Sequence, residues 1–133
     1  EYNIEIAGKT ALLIGRSNLV GRPLAELLLQ ENATVTIAHS RTNNLSKMIK
    51  NFDIVCVAIG KSNFVKAKEL NKNSIVIDVG INRDENNKLC GDVEKKAETK
   101  VKYITPVPGG VGPMTVAMLI SNTLIAYKNQ RGK

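Results

Sequence analysis

Residues Thr10 to Gln30 read TALLIGRSNLVGRPLAELLLQ. The apolar run Thr10 to Ile14 stops at Gly15, and a short continuous run closed by glycine predicts a buried parallel strand. From Val20 to Gln30 the apolar residues Val20, Leu24, Leu27 and Leu28 recur at helical spacing. Pro23 falls in the first turn of that helix, where its missing N–H is tolerated. Strand, glycine turn and helix in this order open a βαβ unit.

The pattern continues outward. Thr34 to Ala38 (TVTIA) predicts the second strand, and Asn44 to Asn51 a short helix with Leu45, Met48 and Ile49 facing inward. Asp53 to Ile59 (DIVCVAI) is the third strand and stops at Gly60. Val65 to Leu70 offers helical turns, Ser74 to Val79 (SIVIDV) a fourth strand ending at Gly80, and Lys102 to Ile104 a fifth. Thr105 to Thr115, TPVPGGVGPMT, is too rich in Pro and Gly for regular structure before Met114. It reads as a rigid loop feeding a helix over Met114 to Tyr127, with Pro113 in the first turn. Alternating strands and helices predict an α/β fold, a doubly wound parallel sheet of Rossmann-like type with helices on both faces. Right-handed crossovers then place Gly15, Ser40, Gly60 and Gly80 along one edge, where such sheets bind ligands. No repeat or interior linker divides the chain, so residues 1–133 read as one domain.

Length and composition bound the function. A chain of 133 residues carries one core, and 43% hydrophobic with 23% charged residues is ordinary for a globular protein. No apolar run approaches the roughly 20 residues of a membrane span, and no secretory signal is read before the first strand. Net charge is +7, but aromatics are only 4% and the lysines are dispersed from Lys47 to Lys102. That argues against nucleic acid, which needs a clustered patch and, for single strands, stacking aromatics. Cys56 falls in a buried strand and Cys90 in a turn, without metal-ligand spacing; reduced thiols point to the cytoplasm or an organelle matrix. A chain that opens on Glu1 rather than Met reads as a piece of a longer protein.

The turn Gly15-Arg16-Ser17-Asn18-Leu19-Val20-Gly21 departs from the dinucleotide pattern G-x-G-x-x-G by Ser17 for the second glycine and one extra residue. A plain strand-to-helix turn is the alternative. Its position after the first strand aims the N–H groups and positive dipole end of a helix at an anion, with Ser17 as a hydroxyl donor and Arg16 as a fixed charge. After the second strand, where Asp or Glu would bind the ribose of NAD, stands His39-Ser40-Arg41-Thr42. Arg41 with Arg16 can then form a two-armed clamp on a phosphate, with Ser40 and Thr42 as hydroxyl donors, which favours NADP over NAD; an inert charge on a solvated turn is the alternative for Arg41. His39 reads as a structural residue, Asp78 and Asp92 as loop tethers, and Cys56 as an inert core thiol.

GRSNLVGRP (Gly15 to Pro23), IDVGIN (Ile77 to Asn82), GDV (Gly91 to Val93) and TPVPGGVGPMT, in this order and spacing, resemble the bifunctional methylenetetrahydrofolate dehydrogenase/cyclohydrolase family. The resemblance covers essentially the whole chain and is to the family's C-terminal NAD(P)-binding domain, with residues 1–8 similar to the segment entering it from an N-terminal catalytic domain. It implies that Gly15, Arg16 and Ser17 cradle the NADP phosphates, that Ser40 and Arg41 hold the 2′-phosphate, and that Ile81 meets the nicotinamide. It implies that Pro108, Gly109, Gly110, Gly112, Thr115 and Val116 line the folate side of the cleft.

The implied reaction is oxidation of 5,10-methylenetetrahydrofolate to the methenyl form, followed by hydrolysis to 10-formyltetrahydrofolate in one-carbon metabolism and purine biosynthesis. The family's Tyr-x-x-x-Lys motif is absent, because the residues four beyond Tyr2, Tyr103 and Tyr127 are Ile6, Val107 and Arg131. The chain therefore carries no catalytic residue of its own and no metal site. By itself it is expected to bind NADP and to show no appreciable turnover. The resemblance implies a folate substrate shared with the N-terminal domain, and a homodimer. A non-catalytic dinucleotide-sensing module is the alternative.

Overall fold

The run TALLI forms β1 (Thr10–Ile14), the strand around which the sheet is laid out. A computed structural model describes residues 2–132. From β1 a glycine turn leads into α1 (Gly21–Gln30), and β2 (Thr34–Ala38) returns parallel to β1. The chain then passes through the short α2 (Leu45–Ile49) and enters β3 (Ile54–Val57) on the other flank of β1. β4 (Ile75–Asp78) pairs with β3. A hairpin of two-residue strands follows, β5 (Asn82–Arg83) and β6 (Leu89–Cys90), before β7 (Tyr103–Ile104) closes the sheet beside β4. All neighbours are parallel in the five-stranded order β2-β1-β3-β4-β7. The third strand lies against the first, so the reversal of strand order falls between β1 and β3. This is the 2-1-3-4-5 variant of the doubly wound sheet rather than the 3-2-1-4-5-6 order.

Period-two alternation divides the buried strands between two core layers. Ala11, Leu13, Ile54 and Cys56 meet Ala25 and Leu28 of α1 on one face. Leu12, Ile14, Val55, Val57 and Val76 meet Ile49 of α2 and Ala67, Leu70 and Ala97 on the other. Ala67 and Ala97 come from 3₁₀ turns, Ala67–Glu69 and Lys95–Thr99, which stand where longer helices cover other sheets of this type. Both faces are covered as the sequence predicts. The last helix does not contribute: α3 (Val111–Arg131) has no buried residue and no member in either core layer. No helix among the described residues is long and apolar enough to cross a membrane.

Several local readings shift. β3 and β4 are shorter than the apolar runs that carry them. Val65 makes a bridge to Val93, which leaves only a 3₁₀ turn where helical turns were predicted. Cys90 lies on β6 rather than in a turn. The hairpin and the turn Lys95–Thr99 are invisible in the sequence, since elements so short have no period to read.

At the opposite end of the sheet, Thr10 donates its N–H and its hydroxyl to the Asp53 carboxylate, each at 2.9 Å. These two bonds hold the Asp53 carboxyl below its ordinary value. A lowered folded value means that the stabilisation is present above the ordinary aspartate range and is lost as pH falls through the folded value. Thermal denaturation of Asp53→Asn against the parent should therefore show a gap in Tm at neutral pH that closes as the pH is taken below the ordinary aspartate range. A gap that persists in acid would rule the carboxylate out as its source.

Candidate functional site

Because the strands are parallel, the turns that follow β1, β2 and β3 share one edge, at the reversal of strand order. They wall a cleft of about 510 Å³, lined by Gly15, Arg16, Ser17, His39, Ser40 and Thr42 on one side and by Ala58, Ile59, Lys61 and Phe64 on the other. The first turn is shaped by two glycines. Gly15 has φ +125°, and a Cβ there would run into the Ala58 carbonyl of the neighbouring strand end. At Gly21 a Cβ would stand 2.5 Å from the Gly15 carbonyl oxygen and 2.8 Å from Arg16 Cα. They fill the outer glycine roles of a dinucleotide turn, a tight bend and close helix–strand packing.

Ser17 alters the expected electrostatics. Its hydroxyl oxygen accepts the N–H groups of Val20 (3.1 Å) and Gly21 (3.3 Å), and its carbonyl accepts Arg22 N–H at 3.0 Å. Pro23 has no N–H, so the first turn of α1 offers no free donor to a ligand, contrary to the reading from sequence. The free donors lie one step earlier. The N–H groups of Arg16, Ser17, Asn18 and Leu19 have no protein acceptor among the described residues, and the Ser17 hydroxyl hydrogen remains available.

After β2, His39 closes its own turn: its N–H donates to Thr42 Oγ1 (2.9 Å), and its Nδ1 accepts Arg41 N–H at 3.2 Å. Ser40 and Thr42 are thereby presented to the cleft. Arg41 is exposed on the same turn but does not line the cleft, so of the two arginines only Arg16 stands in its wall.

A second cavity, of about 190 Å³, opens on the same edge between the ends of β4 and β7. Pro108, Gly109, Gly110 and Gly112 line it, and so does Ile81, which the structure groups with the Pro/Gly loop rather than with the Gly15 turn. Thr115 and Val116 lie further along α3, exposed and outside this lining. α3 starts at Val111 rather than at Met114, so the end of the Pro/Gly run is helical after all, and Pro113 occupies the first turn as its position in the sequence predicts.

Between the two cavities sit two buried carboxylates. Asp92 Oδ2 accepts the N–H groups of Ile59 (2.8 Å) and Gly60 (3.0 Å), while Oδ1 accepts Lys61 N–H and Asn82 Nδ2, both at 2.8 Å. Asp78 in turn accepts the N–H groups of Gly80 (2.9 Å), Asp92 (3.0 Å) and Val93 (2.9 Å). Thr105 completes the join by accepting Asp78 N–H at 2.8 Å. Gly80 and Gly91 make room: a Cβ on Gly80 would collide with the Asp92 carboxylate, and one on Gly91 with that of Asp78. The motifs IDVGIN and GDV are therefore complementary, the glycine of each admitting the aspartate of the other. Burial pushes the Asp78 carboxyl above its ordinary value, against the pull of its three N–H donors and with the Asp92 charge adding to the rise.

Both aspartates tether loops, as read from sequence. Their mutual engagement was not read, although the paired Asp–Gly spacing in the two motifs was a signal for it. Ile59 and Lys61 were missed as cleft residues because only the turn after β3 brings them there. Cys56 is buried and its thiol pushed up to about 12 by burial, which keeps it unreactive.

Removing Asp92 would strand three backbone N–H groups, each worth about 1–3 kcal/mol when left unpaired in the interior. Urea unfolding of Asp92→Ala should accordingly show a loss of about 3 kcal/mol or more. A loss below 1 kcal/mol would show that water replaces the carboxylate at no cost.

Residues 1–131 match the family described as "Tetrahydrofolate dehydrogenase/cyclohydrolase, NAD(P)-binding domain". The chain is 60% identical to the bifunctional protein FolD of Campylobacter hominis, over 98% of its own length and 46% of the relative's. It is 54% identical to FolD of Bacillus subtilis, over 95% and 45%. Among solved structures it superposes on FolD from Campylobacter jejuni with a TM-score of 0.93 at 48% identity, covering 97% of this chain and 46% of that one. The Trypanosoma brucei enzyme complexed with NADP cofactor and inhibitor superposes with a TM-score of 0.90 at 40% identity, over 98% and 47%. The chain thus spans about half the length of the curated relatives it matches.

Proposed function

The chain belongs to the tetrahydrofolate dehydrogenase/cyclohydrolase family, as its NAD(P)-binding domain, and we propose that within a longer protein it holds NADP for the oxidation of 5,10-methylenetetrahydrofolate. The observation that carries this is the cleft at the β1/β3 reversal. There a glycine turn without side-chain bulk, the N–H groups of Arg16 and Ser17, which have no acceptor among the described residues, and the cation of Arg16 line a space open to an anion. The donor set suits phosphates. The turn after β2 offers Ser40 and Thr42 and no carboxylate, which favours the 2′-phosphate of NADP over the bare ribose of NAD.

In this reading Gly15, Arg16 and Ser17 hold the phosphates, and Ser40 with Arg41 meets the 2′-phosphate from the next turn. Ile81 faces the nicotinamide end. Pro108, Gly109, Gly110, Gly112, Thr115 and Val116 form the folate side. NADP supplies the hydride acceptor; the methylene carbon loses a hydride and becomes the methenyl cation, which water opens to 10-formyltetrahydrofolate. The chain's own contribution is positioning. Residues 1–133 act as one domain, and the acid/base groups come from the remainder of the longer protein. α3 supports that arrangement: Val116, Leu119 and Ile120 are 60%, 68% and 67% exposed, an apolar surface of the kind that a neighbouring domain covers. A second copy of the chain is the partner proposed for the β2 edge, where Ile37 and, on α1, Leu27 stand exposed. A cytoplasmic setting suits the free thiols of Cys56 and Cys90.

Fluorescence titration of the full-length protein should give tighter binding of NADPH than of NADH. Arg41→Ala should weaken NADPH by about tenfold, the scale of one charge-assisted bond, and NADH by far less, whereas Arg16→Ala should weaken both. Equal affinities of the parent for the two cofactors, or an equal effect of Arg41→Ala on both, would count against the 2′-phosphate assignment. Residues 1–133 alone should bind NADPH without oxidising the folate; turnover near that of the full-length protein would overturn the division of labour.

A further inference from the structure

One oxygen joins the two cavities. Asp92 Oδ1 accepts Lys61 N–H from the wall of the larger cleft and Asn82 Nδ2 from the strand that begins beside Ile81, each at 2.8 Å. The other carboxylate oxygen takes Ile59 and Gly60 N–H, again from the end of β3. All the donors from the cleft wall are backbone groups; Asn82 is the single side chain in the set, and it is half-buried. Asp92 itself is fully buried, so its position is set by the fold and the Asn82 amide is oriented against a fixed acceptor. A bond to a charged acceptor in such surroundings is stronger than one between neutral groups.

We infer that Asn82 is a positioning residue that sets Ile81, and with it the wall of the smaller cavity, in register with the larger cleft. The inference rests on the reading that one dinucleotide spans both cavities. The adenosine and phosphate end depends on the turns after β1 and β2, none of which touches Asn82. The nicotinamide end depends on the Ile81 wall, which Asn82 fastens. Loss of the amide should therefore loosen one end of the bound cofactor and leave the other unchanged.

The test uses full-length protein carrying Asn82→Ala, which leaves the three backbone bonds of Asp92 in place, and Asn82→Asp, which keeps the shape but turns the donor into an acceptor. Adenosine 2′,5′-bisphosphate probes the first end alone, and its Kd should stay within twofold of the parent for both variants. NADPH probes the second: the fluorescence lifetime of its bound nicotinamide should fall toward that of the free cofactor, more for Asn82→Asp than for Asn82→Ala. Dehydrogenase kcat should drop at least fivefold in parallel, at saturating cofactor. An unchanged lifetime in both variants overturns the inference. So does an equal weakening of adenosine 2′,5′-bisphosphate, which is what general loosening of the fold would produce. Failure of the parent protein to bind NADPH at all would instead overturn the functional reading on which the inference stands.

Discussion

The Asp92 carboxylate, fully buried and accepting four N–H bonds, is the constraint on which the ligand-binding edge depends. Where parallel strands end, their backbone N–H groups lose sheet partners, and an irregular turn cannot replace them from within. A buried carboxylate with its oxygens fully engaged satisfies several such donors at once, and the donors offset the cost of taking its charge out of water. Here the arrangement is doubled: Asp78 accepts from the segment that carries Asp92, and each aspartate faces a glycine of the other's motif. The ends of β3 and β4, the hairpin and the loop before α3 are thereby fixed to one another without a conventional element between them.

That fixation explains how a sheet with so little helical cover can present a defined edge. The face opposite α1 is closed by one five-residue helix and two 3₁₀ turns, which bury apolar side chains but do little to orient loops. Hydrogen bonds to the two carboxylates supply the orientation. Ser17 plays a comparable role at the first turn. By accepting from Val20 and Gly21 it satisfies the start of α1 internally, as a capping residue does, and it moves the anion-binding capacity to the preceding loop. The positive end of the helix still contributes its field there, but the free donors in the cleft wall are those of Arg16 and Ser17.

The two cavities differ in the chemistry they invite. The larger one carries Arg16, Lys61 and hydroxyl groups, and suits a charged, extended ligand. The smaller one is walled by Ile81, Val111 and prolines, and suits the flat face of a ring. Their separation along one sheet edge, with a shared anchor between them, holds a charged and an apolar subsite in fixed register.

Much of this was legible in the sequence, because burial and periodicity are local properties. TALLI, TVTIA and the flanking glycines announce parallel strands and the turns after them, since strands buried on both faces must be continuously apolar and must stop where the chain reverses. The GRS turn, His39-Ser40-Arg41-Thr42 and the Pro/Gly loop identify a ligand edge for the same reason: their residue types have backbone or charge properties that little else requires. What only the tertiary structure decided depends on distant residues meeting. The Asp–Gly pairs of the two motifs hint at a relation, but only the fold brings Asp78 and Asp92 together, and Ile81 joins the Pro/Gly loop because the hairpin folds it there. Arg41 stands beside the cleft rather than in its wall because His39 shapes the turn. A hydrogen bond has direction and needs both partners placed to within fractions of an ångström. A hydrophobic contact needs only proximity, and that is why the core could be read in advance and the polar junction could not.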